Sequence, residues 1–313
     1  GQRPKKVNFG ARFVPCYILE GYTMNDFVIV TDSSCDLPND LVQKLELHVV
    51  PLAFIMGDKT YWNYPDNREM SPEDFYGRQK QGQMATTNAV NVGQATDVLE
   101  PILKQGKDLL VLAFSSGLST TCNSFQIAAT ELGAQYPDRK VFVVDTLCAS
   151  LGQGMLVAQA AQLRQQGKSM EEVRDWVEDN KLRQCHWFTV NDLFFLKKGG
   201  RVSAATAVVG TMLQIKPVMH VDDAGHLINV GKARGRKASL TALADKVGEL
   251  AEDPASQTMY ISHSACLEDA QFVADEVKRR YGVKEIVINS IGPVIGAHTG
   301  PGCVALFFMG KHR

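Results

Sequence analysis

The run Leu109–Phe114, LLVLAF, is the strongest constraint on what this chain can fold into. An apolar run without alternation suits a strand buried on both faces, the pattern of a parallel sheet covered by helices. It breaks at once into Ser115, Ser116, Gly117, Leu118, Ser119, Thr120 and Thr121, and a helical pattern follows from about Thr121. A strand that ends in hydroxyls and glycine before a helix puts free backbone N–H groups beside side-chain donors. Such a place suits an anion, either a carboxylate or a phosphate. The same letters also describe an ordinary strand-to-helix turn capped by serine.

Two more strands end alike. Phe27–Val30 runs into Thr31, Asp32 and Ser33, and Lys140–Val144 runs into Asp145 and Thr146. In a doubly wound sheet such ends share one edge, where ligands bind. Between them the pattern predicts a helix over Leu37–Leu45 and a strand over Val49–Ile55, then an irregular or hairpin insertion over 57–82. Ser71-Pro72-Glu73-Asp74 reads as a helix start, because serine caps, proline suits the first turn and acids meet the positive helix end. Thr86–Asn91 reads as a loop, with Asn91 capping the next helix, and a further helix spans Ser150 to Gln166.

Beyond Gln166-Gly167-Lys168 the pattern changes. Ser169 to Glu172 is a capping box. Strands are expected over 186–190, 216–221, 226–233, 258–263, 285–290 and 304–309. Helices are expected over 193–197, 236–252 and 267–281, with another capped by Ser203 and reaching Leu213. The fold class is therefore α/β with two domains. Residues 24–166 form a Rossmann-like parallel sheet with helices on both faces, and residues 167–313 form an α+β domain with a mixed or antiparallel sheet. Residues 1–23 read as a leader or N-terminal extension.

Composition narrows the function. The chain has 313 residues, 45% hydrophobic and 21% charged, with a net charge of −1. That balance argues against a nucleic-acid surface. Seven scattered cysteines without a C-x-x-C pair suggest neither a disulfide scaffold nor a zinc ribbon, and fit a reducing, cytoplasmic setting. No apolar run approaches membrane-span length. Neither G-x-G-x-x-G after a strand nor G-x-x-x-x-G-K-[ST] occurs, and the histidines form no metal-binding pair on one helix.

Three stretches carry candidate chemistry. Gly117-Leu118-Ser119-Thr120-Thr121 begins like the G-x-S-x-G elbow of hydrolases but lacks its last glycine. It leaves open a serine hydrolase or acyltransferase acting on lipid esters, with Ser119 as nucleophile and His298 as base. His298-Thr299-Gly300-Pro301-Gly302 sets a donor pair in what reads as a tight, exposed loop, with His298 a ligand contact. Lys197, Lys198 and Arg201 surround Gly199-Gly200, and the planar fork of arginine favours carboxylate or phosphate.

Together these residues resemble the DegV family, the fatty-acid-binding FakB-type components of bacterial fatty acid kinase. The markers are Thr31-Asp32-Ser33, Thr86–Asn91, Ser115–Ser119, Lys197–Ser203 and His298–Gly302, in that order over Phe27 to Met309. The resemblance implies a long-chain fatty acid held between two domains, with no cofactor. It implies that Thr87 and Ser119 hold the carboxylate with His298 nearby, and that Arg201, with Ser116 and Thr299, meets the head group or the kinase. Thr31, Asp32 and Ser33 are expected to line the crevice. The implied partners are a separate ATP-dependent fatty acid kinase and an acyltransferase of phospholipid synthesis. Thr120 stands where the family usually has glycine, and Asn88 where serine is common. A sugar or dihydroxyacetone kinase relative would need an ATP site, and no nucleotide motif supplies one.

Overall fold

The structure, a computed structural model, describes residues 27–203 and 214–313. The expected leader and the helix after Ser203 lie outside the described residues.

The first half runs β1 (Phe27–Asp32), α1 (Asn39–Lys44), β2 (His48–Val50), β3 (Ala53–Met56), β4 (Lys59–Trp62), α2 (Pro72–Lys80), β5 (Ala85–Asn88), α3 (Val92–Lys104), β6 (Asp108–Ala113), α4 (Thr121–Gln135), β7 (Val141–Asp145) and α5 (Ser150–Gln165). Strands β2-β1-β6-β7 form a parallel sheet. β6 explains why. Leu109, Val111 and Ala113 pack with Leu99 of α3 and Phe125 of α4, while Leu110 and Leu112 pack with Leu151 and Met155 of α5. Both faces of the strand are covered, so it carries no polar alternation.

Local start signals act as the sequence predicts. Ser71 Oγ accepts from the Asp74 N–H at 3.1 Å, and Asn91 Oδ1 from the Gln94 N–H at 2.8 Å. Ser169 and Glu172 close a reciprocal capping box.

Two expectations are corrected. Val49–Ile55 is not one strand: β2 ends at Val50 and β3 begins at Ala53, in a different sheet. Pro51 between them has no N–H to continue a ladder. Thr86–Asn88 is not a loop but part of β5, antiparallel to β3 with Thr87 opposite Phe54. The 57–82 insertion is the β3–β4 hairpin followed by α2, and β4-β3-β5 close over Phe54, Tyr61, Phe75 and Tyr76.

The second half runs α6 (Met170–Asn180), β8 (Gln184–Thr189), α7 (Phe194–Lys198), β9 (Ile215–Val221), β10 (Leu227–Arg234), α8 (Arg236–Leu250), β11 (Thr258–His263), α9 (Leu267–Tyr281), β12 (Glu285–Ser290), α10 (Pro293–Thr299) and β13 (Val304–Met309). The sheet order is β10-β9-β8-β13-β11-β12, antiparallel except for the β11–β12 pair. One face packs Trp187, Leu306 and Phe308 against α8 and α9. The other turns Phe188, Ala305 and Phe307 toward Leu151 and Met155 of α5, in one core with β1 and β6. Helix α6, beyond the turn at Gly167, adds Val173 and Val177 to that core. Among the described residues no helix is long and apolar enough to cross a membrane.

The region of His298 also differs from expectation. It is not an exposed loop: Pro293 opens α10, His298 lies in its last turn, and Gly300 at φ +70° ends it.

Candidate functional site

The C-terminal end of β6, helix α10 and the inner face of the six-stranded sheet line a partly open cavity of about 460 Å³. Phe114, Leu118, Phe188, Val294, Ile295 and Phe307 supply apolar walls. Thr87, Ser119, Arg201 and His298 form a polar group on the same cavity. A concave space of this size, mostly apolar with a few polar groups, is the usual make-up of a small-molecule site.

Each polar group is delivered by a different element. β5 brings Thr87, whose Oγ1 lies 2.9 Å from Nε2 of His298 at the end of α10. When the hydroxyl donates to Nε2, the ring proton sits on Nδ1. Nδ1 is buried with no hydrogen-bond partner among the described residues. The ring edge lies against the end of α7: a Cβ built on Gly199 would stand 2.2 Å from Nδ1, so glycine alone leaves room for the imidazole. Burial, then the nearby Arg201 charge, pushes the His298 pKa down to about 4. His298 is therefore neutral at pH 7.

Arg201 is half-buried, and burial lowers its pKa. Its Nε and Nη2 both donate to the Leu118 carbonyl, at 3.2 and 3.1 Å, and Nη1 donates to the Gly199 carbonyl at 2.5 Å. The guanidinium thus pins the loop after β6 to the end of α7. Within that loop, Ser119 Oγ donates to Thr121 Oγ1 at 2.9 Å and accepts from the Thr121 N–H at 3.1 Å. Thr121 Oγ1 in turn accepts from the Val90 N–H at 3.1 Å, which ties the end of β5 to the start of α4. Thr120 has φ −82° and ψ 1°, a conformation open to a β-branched residue, so the loop needs no glycine there. The positive end of the long helix α4 opens beside these hydroxyls and favours a negative group.

Of the residues singled out from sequence, Thr87, Ser116, Ser119, Arg201, His298 and Thr299 line this cavity. Ser116 is exposed, its N–H on Asp145 Oδ1 at 3.1 Å, and Thr299 is buried. Thr31, Asp32 and Ser33 are not part of the wall; their polar atoms hold the strand ends instead. Thr31 Oγ1 donates to the Leu112 carbonyl at 2.7 Å, and Ser33 Oγ accepts from the Leu52 N–H at 2.9 Å. The fully buried Asp32 accepts from the Phe114 N–H at 2.9 Å and from Ser34. Burial raises its pKa, and those hydrogen bonds pull it back.

Sequence reasoning missed three polar residues of the cavity wall: Ser150, His186 and Ser262. Ser150 Oγ donates to Asp36 Oδ2 at 2.6 Å and lies 2.9 Å from Ser262 Oγ. His186 is saturated, with Nε2 accepting from the Ala149 N–H at 3.1 Å and Nδ1 3.1 Å from the Gln184 carbonyl. No local pattern marks these residues, because Ala149 for His186, and Asp36 and Ser262 for Ser150, lie far away in the chain. The Ser119–His298 pair needed for a serine nucleophile is not formed. The Ser119 hydroxyl is spent on Thr121 and His298 Nε2 on Thr87.

Comparison with known proteins gives the geometry a context. The family model described as "Uncharacterised protein, DegV family" matches residues 26–311. A DegV domain-containing protein of Clostridium perfringens is 45% identical over 93% of this chain and 99% of its own length. A DegV family protein from Thermus thermophilus, solved for its fatty acid binding, is similar with a TM-score of 0.80 and 31% identity, covering 91% of this chain and 99% of that one. DegV of Bacillus subtilis, a fatty acid binding protein, is similar with a TM-score of 0.78 and 26% identity, covering 91% and 99%. With a family model spanning nearly all of it and a close relative matched end to end, this chain belongs to the DegV family.

Proposed function

We propose that the protein binds one long-chain fatty acid in this cavity and presents its carboxylate to a separate ATP-dependent fatty acid kinase. The observation that carries the reading is a largely apolar, partly open cavity lined by a neutral imidazole, two hydroxyls and one arginine. Fatty acid binding by the Thermus thermophilus and Bacillus subtilis relatives supports it. Thr87, Ser119 and His298 hold the carboxylate, the two hydroxyls turning from His298 Nε2 and Thr121 Oγ1 to donate to it, and Arg201 fixes the loop that carries Ser119. Ser116, exposed beside that loop, and Thr299 complete the head-group surroundings. The acyl phosphate then passes to an acyltransferase of phospholipid synthesis, within a reducing, cytoplasmic setting.

The energetics divide the labour. A tail of about 15 methylenes has a gross burial term on the order of 12 kcal/mol, at roughly 0.8 kcal/mol per CH₂. Ordering the chain reduces it. Charge-assisted hydrogen bonds to the carboxylate add about 1.5–3 kcal/mol each. The tail sets affinity, and the hydroxyls set which oxygen faces the kinase. Ser119 Oγ is paired with Thr121 and not with a base, which speaks against a nucleophile; to donate to a carboxylate its hydroxyl turns away from Thr121 Oγ1.

Native mass spectrometry of the purified protein, followed by lipid extraction, tests the reading. One non-covalent long-chain acid per chain is expected, with Thr87→Ala and Ser119→Ala reducing acyl-phosphate formation when the kinase is added. A covalent acyl adduct, or steady ester hydrolysis abolished by Ser119→Ala, would overturn it in favour of a hydrolase. A protein that takes up no fatty acid would overturn it as well.

A further inference from the structure

Three stretches of the cavity wall come from distant parts of the chain. Ala149 caps the start of α5, His186 lies on β8, and Val221 ends β9. One side chain holds a neighbour of each. Arg313 Nη2 donates to Cys148 Sγ at 3.1 Å, Nε to the Gln184 carbonyl at 3.1 Å, and Nη1 to the Asp222 carbonyl at 2.6 Å. Cys148 and Asp222 adjoin Ala149 and Val221 in the chain, and Gln184 shares a strand face with His186. Arg313 itself is half-buried and is not part of the wall.

The chemistry of these contacts depends on direction more than on charge. Nη2 also donates to the Lys181 carbonyl at 3.1 Å, so the acceptors are carbonyl oxygens and a thiol, all neutral. A guanidinium spreads its N–H donors over a planar fork and reaches acceptors on several sides at once. A lysine ammonium is a compact point charge and does not span them.

The turn that carries Ala149 needs holding. Leu147 at φ +53° and Ser150 at φ +50° both take left-handed backbone, which residues other than glycine seldom adopt. Such residues persist where the surroundings over-determine them. Toward β6 the turn is held by the Ser115 N–H on the Cys148 carbonyl at 3.0 Å and by Thr146 Oγ1 on the Ala113 carbonyl at 2.7 Å. Toward the six-stranded sheet it is held by the Ala149 N–H on His186 and by Arg313 on Cys148.

We propose that Arg313 is a positioning residue that sets the chain-length selectivity of the cavity, by fixing three wall segments from both halves of the molecule against one another. The inference rests on the fatty-acid reading of the site. A wall measures a tail only as far as the wall is fixed. Segments that yield let an extra methylene in at little cost, whereas fixed ones force it to strain the packing or protrude.

The test uses delipidated full-length protein and competition among palmitic, stearic and arachidic acid, which differ by two methylenes at each step. The quantity read is the ratio of Kd between the weakest and the tightest binder. A merely structural role leaves that ratio alone, because all three acids bind the same folded chain. In the wild type it should be about tenfold, the worth of two methylenes that do not fit. Arg313→Ala should shrink it about threefold, and Arg313→Lys should do the same, because the charge returns without the fork. The lysine variant also carries the test if the alanine variant does not fold. A ratio that stays within about twofold of wild type in either folded variant, or that widens, overturns the proposal while leaving the fatty-acid site intact. Equal binding of the three acids by the wild type does so too. Failure of all three to bind the wild type overturns both readings.

Discussion

Two buried titratable residues of the cavity region oppose each other in their dependence on pH. His298 has a pKa near 4 in the folded chain, against an ordinary 6.5. Between those values the unfolded chain holds a proton that the folded one lacks, so His298 makes stability fall as pH drops through the window. Asp36 is pushed from 3.8 up to about 7, chiefly by burial. There the folded chain holds the extra proton, and stability falls as pH rises from 3.8 to about 7. Each slope is at most about 1.4 kcal/mol per pH unit. The two largely cancel in the wild type, so the effect is expected in differences. Measured by urea unfolding across pH 4 to 7, the wild type should lose stability relative to His298→Gln as pH falls, and relative to Asp36→Asn as pH rises. Difference curves of the same sign would remove this account. Ser119, Arg201 and His298 stood out in the sequence as short polar motifs, and Thr87 entered only through the family resemblance; all four line the cavity. The sequence misdirected Thr31, Asp32 and Ser33 because hydroxyls and a carboxylate that hold main-chain N–H groups read like those that hold a ligand. Ser150 and Ser262 were invisible because their meeting depends on the packing of β11 against α5.

At the scale of elements, burial pattern and capping carry very different weights. Leu110 of β6 is fully buried between the sheet and α5. Leu110→Ala removes that packing and leaves a cavity, and should cost about 2–5 kcal/mol in chemical denaturation. Ser169→Ala removes a cap on an exposed helix start and should cost about 1 kcal/mol. Equal losses would mean that α6 is a main prop of the fold. The same ordering explains what the sequence disclosed. β6, β11, β12, β13 and α9 follow their apolar patterns, and their limits agree with the sequence reading to about a residue. β5 was hidden because Ala85–Asn88 alternates between half-buried and exposed, so it never shows a buried apolar face. β2 and β3 merged in the pattern because apolar residues flank Pro51, and only the missing N–H at that proline divides them. α10 was hidden by its glycine and proline content, which suggested a loop. Its packing over Tyr76 and Gln79 overrides that composition.

At the scale of the whole molecule, the cavity wall is assembled from parts that must be brought together. Helix α10 and the turn before it are gripped by α2, where Tyr76 Oη donates to the Ile291 carbonyl at 2.6 Å and Gln79 Nε2 to the Gly296 carbonyl at 3.0 Å. The Ser115 hydroxyl donates to the Gly225 carbonyl at 2.8 Å, joining the end of β6 to the β9–β10 turn. A Cβ on Gly117 would stand 2.7 Å from that same carbonyl, so the two loops are in direct contact. On the proposed reading, an acyl chain in the cavity would touch walls from both halves at once and bind the folded state only. Linkage then makes ligand affinity appear as stability: a free ligand at 100 times its Kd adds about 2.7 kcal/mol. Delipidated protein should therefore melt at a lower temperature than lipid-bound protein. Saturated acids of increasing length, at one fixed concentration, should restore the melting temperature step by step. Each added methylene is worth up to about 0.8 kcal/mol while it still enters apolar space. The rise should stop, then reverse, at the length that fills the cavity, since a longer chain must expose its end or strain the walls. Substituting the smaller Ala297→Gly or the larger Ala305→Leu should leave that optimum unchanged in the first case, because Ala297 packs in the core beside Phe75, and shorten it in the second, because Ala305 lines the cavity. A melting temperature indifferent to chain length would place the tail outside the protein, and the carboxylate group alone would then have to account for all of the affinity.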